Sequence, residues 1–91
     1  MKKRKGLEKV IYESEKYGEH IVYRLYDTNI MVQECGYIKL NTGGWYTRHT
    51  KNCINDNLPE GYRVFQEKGE WYVNTPDGIF DYNDNMKLKV G

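Results

Sequence analysis

The sequence predicts a small α+β domain: a mostly antiparallel β-sheet of about six to seven short strands, with one short helix after a Gly43-Gly44 turn. Three observations carry this. Apolar and polar residues alternate through most of the chain, the period-2 signature of half-buried strands. Turn residues recur at short intervals, at Gly18, Asp27-Thr28-Asn29, Gly36, Gly43-Gly44, Lys68-Gly69 and Pro76-Asp77-Gly78. Helical spacing after the double glycine is confined to one window around Cys53, Ile54 and Leu58. Ninety-one residues make one domain, 1–91, with residues 1–6 read as a flexible basic tail.

Taken in order, Leu7 to Tyr17 reads two ways. Leu7, Val10 and Ile11 fall at helical spacing, whereas Val10-Ile11-Tyr12 alone suits a strand; a short helix or irregular lead-in is favoured. His20 to Tyr26 is a strand crowded with β-branched and aromatic residues, followed by a turn at Asp27-Thr28-Asn29. Asn29 to Gln33 and Tyr37 to Leu40 complete a meander around Glu34-Cys35-Gly36. The short helix follows, with Thr47 or Thr50 as N-cap and Pro59-Glu60-Gly61 as its end. Tyr62 to Gln66 and Trp71 to Asn74 form a hairpin around Lys68-Gly69, where Gly69 takes positive φ. Thr75-Pro76-Asp77-Gly78 is a turn leading to Ile79 to Tyr82. Met86 to Val90 reads as an edge strand blunted by Lys87 and Lys89.

Composition narrows the function. A chain this short buries only about 60–65% of the surface that it exposes unfolded. Nine tyrosines must therefore share the core with interfaces that their hydroxyls can reach. Fourteen basic against 13 acidic residues, a net charge of +1, argue against a wholly nucleic-acid-binding surface. Basic charge concentrates in Lys2-Lys3-Arg4-Lys5, read as a solvated tail or a phosphate-binding arm. Cys35 and Cys53 are expected to be reduced, and no stretch approaches a membrane span or an apolar signal core.

No catalytic constellation is expected, and neither a cofactor nor a metal site. His49 and Cys53, spaced i and i+4, share a helix face, but a nucleophile also needs an orienting partner and an oxyanion device. His20, His49, Cys35 and Cys53 do not have zinc-ligand spacing. Asp77, Asp81 and Asp84 read as solvated loop charge. The candidate binding residues lie at the strand-to-helix junction: Thr42, Gly43, Gly44, Trp45, Tyr46, Thr47, Arg48, Thr50, Lys51 and Asn55. One reading makes the double glycine with Thr47, Thr50 and Lys51 an anion or nucleotide cradle at a helix N-terminus, without Walker spacing. Another makes Trp45, Tyr46, Arg48 and Lys51, together with Tyr62, Tyr72 and Tyr82, a protein hot spot or base-stacking surface. A purely structural reading has the glycines reverse the chain while Trp45 caps the core and a threonine caps the helix.

From His20 to Val73 the chain resembles a group of small bacteriophage and mobile-element proteins. The likeness rests on Asp27-Thr28-Asn29-Ile30, on Leu40-Asn41-Thr42-Gly43-Gly44-Trp45-Tyr46-Thr47 with Thr50-Lys51 and Ile54-Asn55, and on Lys68-Gly69-Glu70-Trp71-Tyr72-Val73. These follow an LxTGGWxTxxTKxxIN core and a GxWYV hairpin. The resemblance carries no activity with it. It implies a phage origin and an accessory role, with the basic lead-in and the segment after Asp77 outside the matching region. The expectation is a non-enzymatic protein in the cytoplasm of an infected bacterium that binds a host defence complex as an anti-CRISPR-like inhibitor. Sequestration of a signalling nucleotide and regulation through nucleic acid are the alternatives; the sequence does not set the oligomeric state.

Overall fold

The structure, a computed structural model, describes residues 5–14, 18–34 and 36–90. Among them are eight strands and one helix: β1 (Leu7–Ser14), β2 (Gly18–Leu25), β3 (Thr28–Glu34), β4 (Tyr37–Leu40), α1 (Arg48–Asn57), β5 (Arg63–Glu67), β6 (Glu70–Thr75), β7 (Gly78–Asp81) and β8 (Lys87–Lys89). The α+β class holds, but the strands divide into two antiparallel sheets, β1-β2-β3-β4-β8 and β5-β6-β7. Leu7–Ser14 is a strand and not a helix, because Leu7 to Ser14 pairs residue by residue with Leu25 to Gly18. A neighbouring strand supplies hydrogen bonds that an isolated helical turn at this ambiguous spacing would have to nucleate alone. Tyr17, Cys35 and residues 1–4 of the basic tail lie outside the described residues; the tail's last two residues, Lys5 and Gly6, form a turn.

The reversal between β2 and β3 falls at Tyr26-Asp27, slightly earlier than the turn signal implied, with Tyr26 at φ 54°. In the Lys68-Gly69 hairpin both central residues take positive φ, 52° and 81°, as a two-residue turn matched to strand twist requires. α1 starts on Thr47, whose extended backbone and side-chain acceptor to the Thr50 amide make it the N-cap. The helix ends before Pro59, with the Leu58 amide still donating to the Ile54 carbonyl.

The core joins both sheets through this helix. Ile30, Met31 and Leu40 of the large sheet, Cys53 and Ile54 of α1, and Val64 and Val73 of the small sheet have essentially no exposure. A fully buried side chain of this size stabilises the fold by about 1.5–3 kcal/mol. α1 packs on both β3 and β5, so it fixes the position of the small sheet against the large one.

A second link uses backbone edges. The side-chain amide of Asn55 donates to the Val64 carbonyl at 2.8 Å and accepts from the Val64 amide at 2.7 Å, occupying the free side of β5 as a neighbouring strand would. β8 lies at a sheet edge, as predicted, with Lys87 and Lys89 exposed and Leu88 buried.

Candidate functional site

The junction between β4 and α1 is held from beneath by Asp84. Asp84 Oδ1 accepts the Thr42 amide at 2.8 Å, and the Thr42 hydroxyl lies 2.9 and 3.0 Å from the two carboxylate oxygens. The Tyr82 hydroxyl donates to the same carboxylate at 2.9 Å. Burial pulls this carboxyl upward, but the Thr42 amide, the Tyr82 and Thr42 hydroxyls and Tyr46 outweigh it and leave it below the usual carboxylate range. Asp84 is therefore not the solvated loop charge that its sequence neighbourhood suggested. No local pattern links it to Thr42, a residue 42 positions earlier.

Above Asp84, local chemistry shapes the turn. Asn41 Oδ1 accepts the Gly43 amide at 2.7 Å, Thr42 Oγ1 accepts the Gly44 amide at 3.1 Å, and the Thr42 carbonyl accepts the Trp45 amide at 3.1 Å. Gly43 and Gly44 sit at φ 66° and 90°, where side chains are disfavoured. A Cβ on Gly43 would lie 2.6 Å from Thr28 Oγ1, whereas one on Gly44 would meet open space. Both glycine amides of the proposed phosphate cradle are thus already bonded inside the turn.

The turn projects two aromatics in different directions. Trp45 is 68% exposed and does not cap the core; it borders a cavity of about 390 Å³ shared with Tyr26, Leu25, Ile30, Thr28 and His49. Tyr46, 50% exposed, stands edge-on to Trp71 and Tyr82 at 5.0 and 6.0 Å between ring centroids, and borders a cavity of about 430 Å³. Lys51 places Nζ 5.7 Å from the Trp71 ring centroid. Arg48 is exposed, and the first helical turn carries no acidic residue. Cations thus stand where the helix dipole favours anions. Burial first, then hydrogen bonding to Asp84, pushes the Tyr82 phenol far above its ordinary value.

The candidate residues separate by role. Trp45, Arg48 and Lys51 present side chains outward from the junction, while the half-exposed Tyr46 also reaches Trp71, Tyr82 and Asp84. Thr42, Thr47 and Thr50 are engaged inside it, Thr47 donating to Thr50 Oγ1 at 3.1 Å. Asn55 is turned away, its amide committed to β5. His49 and Cys53 do approach, with Nε2 3.9 Å from Sγ, but Cys53 has no exposure and the same Nε2 lies 2.8 Å from the Lys5 carbonyl. A substrate could reach this sulfur only by opening the helix-to-sheet packing. Among the described residues no group of His, Cys, Asp and Glu could hold a metal, and no helix is long and apolar enough to cross a membrane.

Residues 2–89 match the family model described as Kyanoviridae Gp96 protein, so the basic lead-in and the segment after Asp77 lie inside the family's shared length. No curated protein and no solved structure matches.

Proposed function

Because the chain belongs to the Kyanoviridae Gp96 protein family, a phage family, we propose that it is an accessory protein acting stoichiometrically in the host cytoplasm, by binding and inhibiting a bacterial defence complex. The observation that supports binding is the exposed Trp45-Tyr46 pair on a turn fixed by Asp84, with Arg48 and Lys51 beside it. Exposed aromatics bordered by cations and held by a rigid base have the composition of a protein hot spot, where few residues carry most of the affinity. The phage origin supports a host target, and defence complexes are frequent targets of small stoichiometric phage proteins.

A tagged chain should capture a host complex at a fixed molar ratio and restore plaque formation on a defended host. Capture of no host protein would overturn the proposal. Arg48→Ala is expected to weaken capture by about 1–3 kcal/mol, the range for a charge-assisted contact, with an unchanged melting midpoint. Lys51→Ala should weaken capture similarly and also cost about 0.5–1 kcal/mol of stability, because its ammonium sits over Trp71. Titration calorimetry and thermal melts separate the two effects.

Nucleic acid is the second reading, favoured by one observation: His49 Nε2 against the Lys5 carbonyl brings the root of the basic run to the start of α1. Under that reading binding weakens steeply with salt, and deleting residues 2–5 flattens the dependence by up to about one unit of slope for each phosphate no longer neutralised. Salt-insensitive activity excludes it.

A further inference from the structure

The two sheets end in edges that are treated differently. The Tyr82 amide donates to the Trp71 carbonyl, and the β6-β7 register continues from there, pairing Val73 with Phe80 and Thr75 with Gly78. In an antiparallel ladder these are the pairs that exchange backbone bonds, so the amides and carbonyls of Ile79 and Asp81 point away from β6. On β5 the outward groups of Val64 are taken by Asn55. On β8 the Tyr62 hydroxyl donates to the Lys89 carbonyl at 2.9 Å, and two lysine side chains flank the strand. β7 carries neither device. All four of its residues are exposed, with Ile79 at 62% and Phe80 at 50%.

Its two faces differ in chemistry. Phe80 shares the inner face with buried Val73 and borders a cavity of about 300 Å³ lined by Tyr62, Met86 and Leu88 and also by Asp77, Lys87 and Lys89. Ile79 and Asp81 share the outer face with Asn74 and Tyr72. There the Tyr72 ring stacks on Phe65 with centroids 5.6 Å apart, and its hydroxyl donates to Glu70 at 3.0 Å. That hydrogen bond first, then the charge of Glu70, desolvation and the charges of Asp81 and Glu67, raises the Tyr72 phenol, and the three carboxylates make this face negative.

We infer that the open edge of β7 is a docking site for an extended segment of a partner protein that adds as a fourth strand and alternates apolar with basic residues. Its backbone pairs with the free groups of Ile79 and Asp81. Its apolar side chains lie beside Phe80 over the inner cavity, and its basic ones meet Asp81 and Glu70 on the outer face. A second copy of this chain is a poorer occupant, because its own β7 and the turn before it bring Asp81 and Asp77 to an edge that already carries them. The inference concerns a surface other than the Trp45 junction and stands without the proposed function.

Fluorescein-labelled peptides KVKLKVK and EVELEVE, titrated into the full chain and followed by anisotropy, test it. The basic peptide is expected to bind saturably and to shift the Ile79 and Asp81 amides in ¹H–¹⁵N spectra, while the acidic peptide binds at least tenfold more weakly. Ile79→Pro removes an outward donor without removing a β6 bond and should weaken binding at least tenfold. Asp81→Lys leaves the backbone intact and should do the same if the proline variant fails to fold. Equal binding of both peptides, no binding of either, or a concentration-dependent dimer abolished by Asp81→Lys overturns the inference.

Discussion

Asp84→Ala is expected to lower the unfolding free energy by about 3 kcal/mol, because it leaves the Thr42 amide and the Thr42 and Tyr82 hydroxyls without their acceptor. For a domain of this size that is a fall in Tm of roughly 12–24 °C. Asp84→Asn, which keeps an acceptor but not the charge, should lose less. The pH dependence has a defined sign. The folded chain holds the Asp84 carboxyl below its unfolded value, so its contribution is complete above the unfolded pKa and is lost as pH falls through the folded one. The gap between wild type and Asp84→Ala should accordingly narrow below about pH 4. Tyr82 acts at the other end: burial raises its phenol, so the unfolded chain loses that proton first and stability should fall above about pH 10. Chemical denaturation across pH, with Tyr82→Phe flattening the alkaline limb, reads both.

Gly43→Ala should cost about 2–4 kcal/mol, combining left-handed backbone strain with overpacking against Thr28, while Gly44→Ala should cost only about 1–2 kcal/mol of strain. Thr28→Ala in the Gly43→Ala background removes the two closest colliding atoms and should recover about 1 kcal/mol relative to the additive expectation. Equal costs at the two glycines, measured by urea unfolding, would mean that the close approach of Gly43 to Thr28 does not constrain the turn.

How far these features could be read beforehand depends on how local they are. A threonine N-cap, read as Thr47 or Thr50 and found at Thr47, the Lys68-Gly69 reversal and the edge position of β8 each follow from a few adjacent residues, and each is present. β1 was not legible, since Leu7, Val10 and Ile11 fall at helical spacing while Val10-Ile11-Tyr12 suits a strand, and only pairing with β2 decides. The division into two sheets depends on β8 returning to β4 across the intervening hairpins, a non-local pairing that leaves no mark on spacing. The junction was legible as a constellation but not in its roles. Asn55 belonged to the motif yet closes the β5 edge, and Asp84 lay outside it yet holds it. Side-chain amides and carboxylates that bond backbone far along the chain carry no periodic signal.

The central claim is that the fold builds the junction as a base and exposes Trp45 for a partner. Trp45→Ala tests it most directly, measured for thermal stability and for affinity toward the host complex proposed as its target. Because Trp45 is 68% exposed, its Tm should change by no more than the equivalent of about 0.5 kcal/mol, while affinity falls by about 2 kcal/mol or more, roughly 30-fold. Unchanged affinity in a folded Trp45→Ala chain, or a collapse of Tm, would contradict the account.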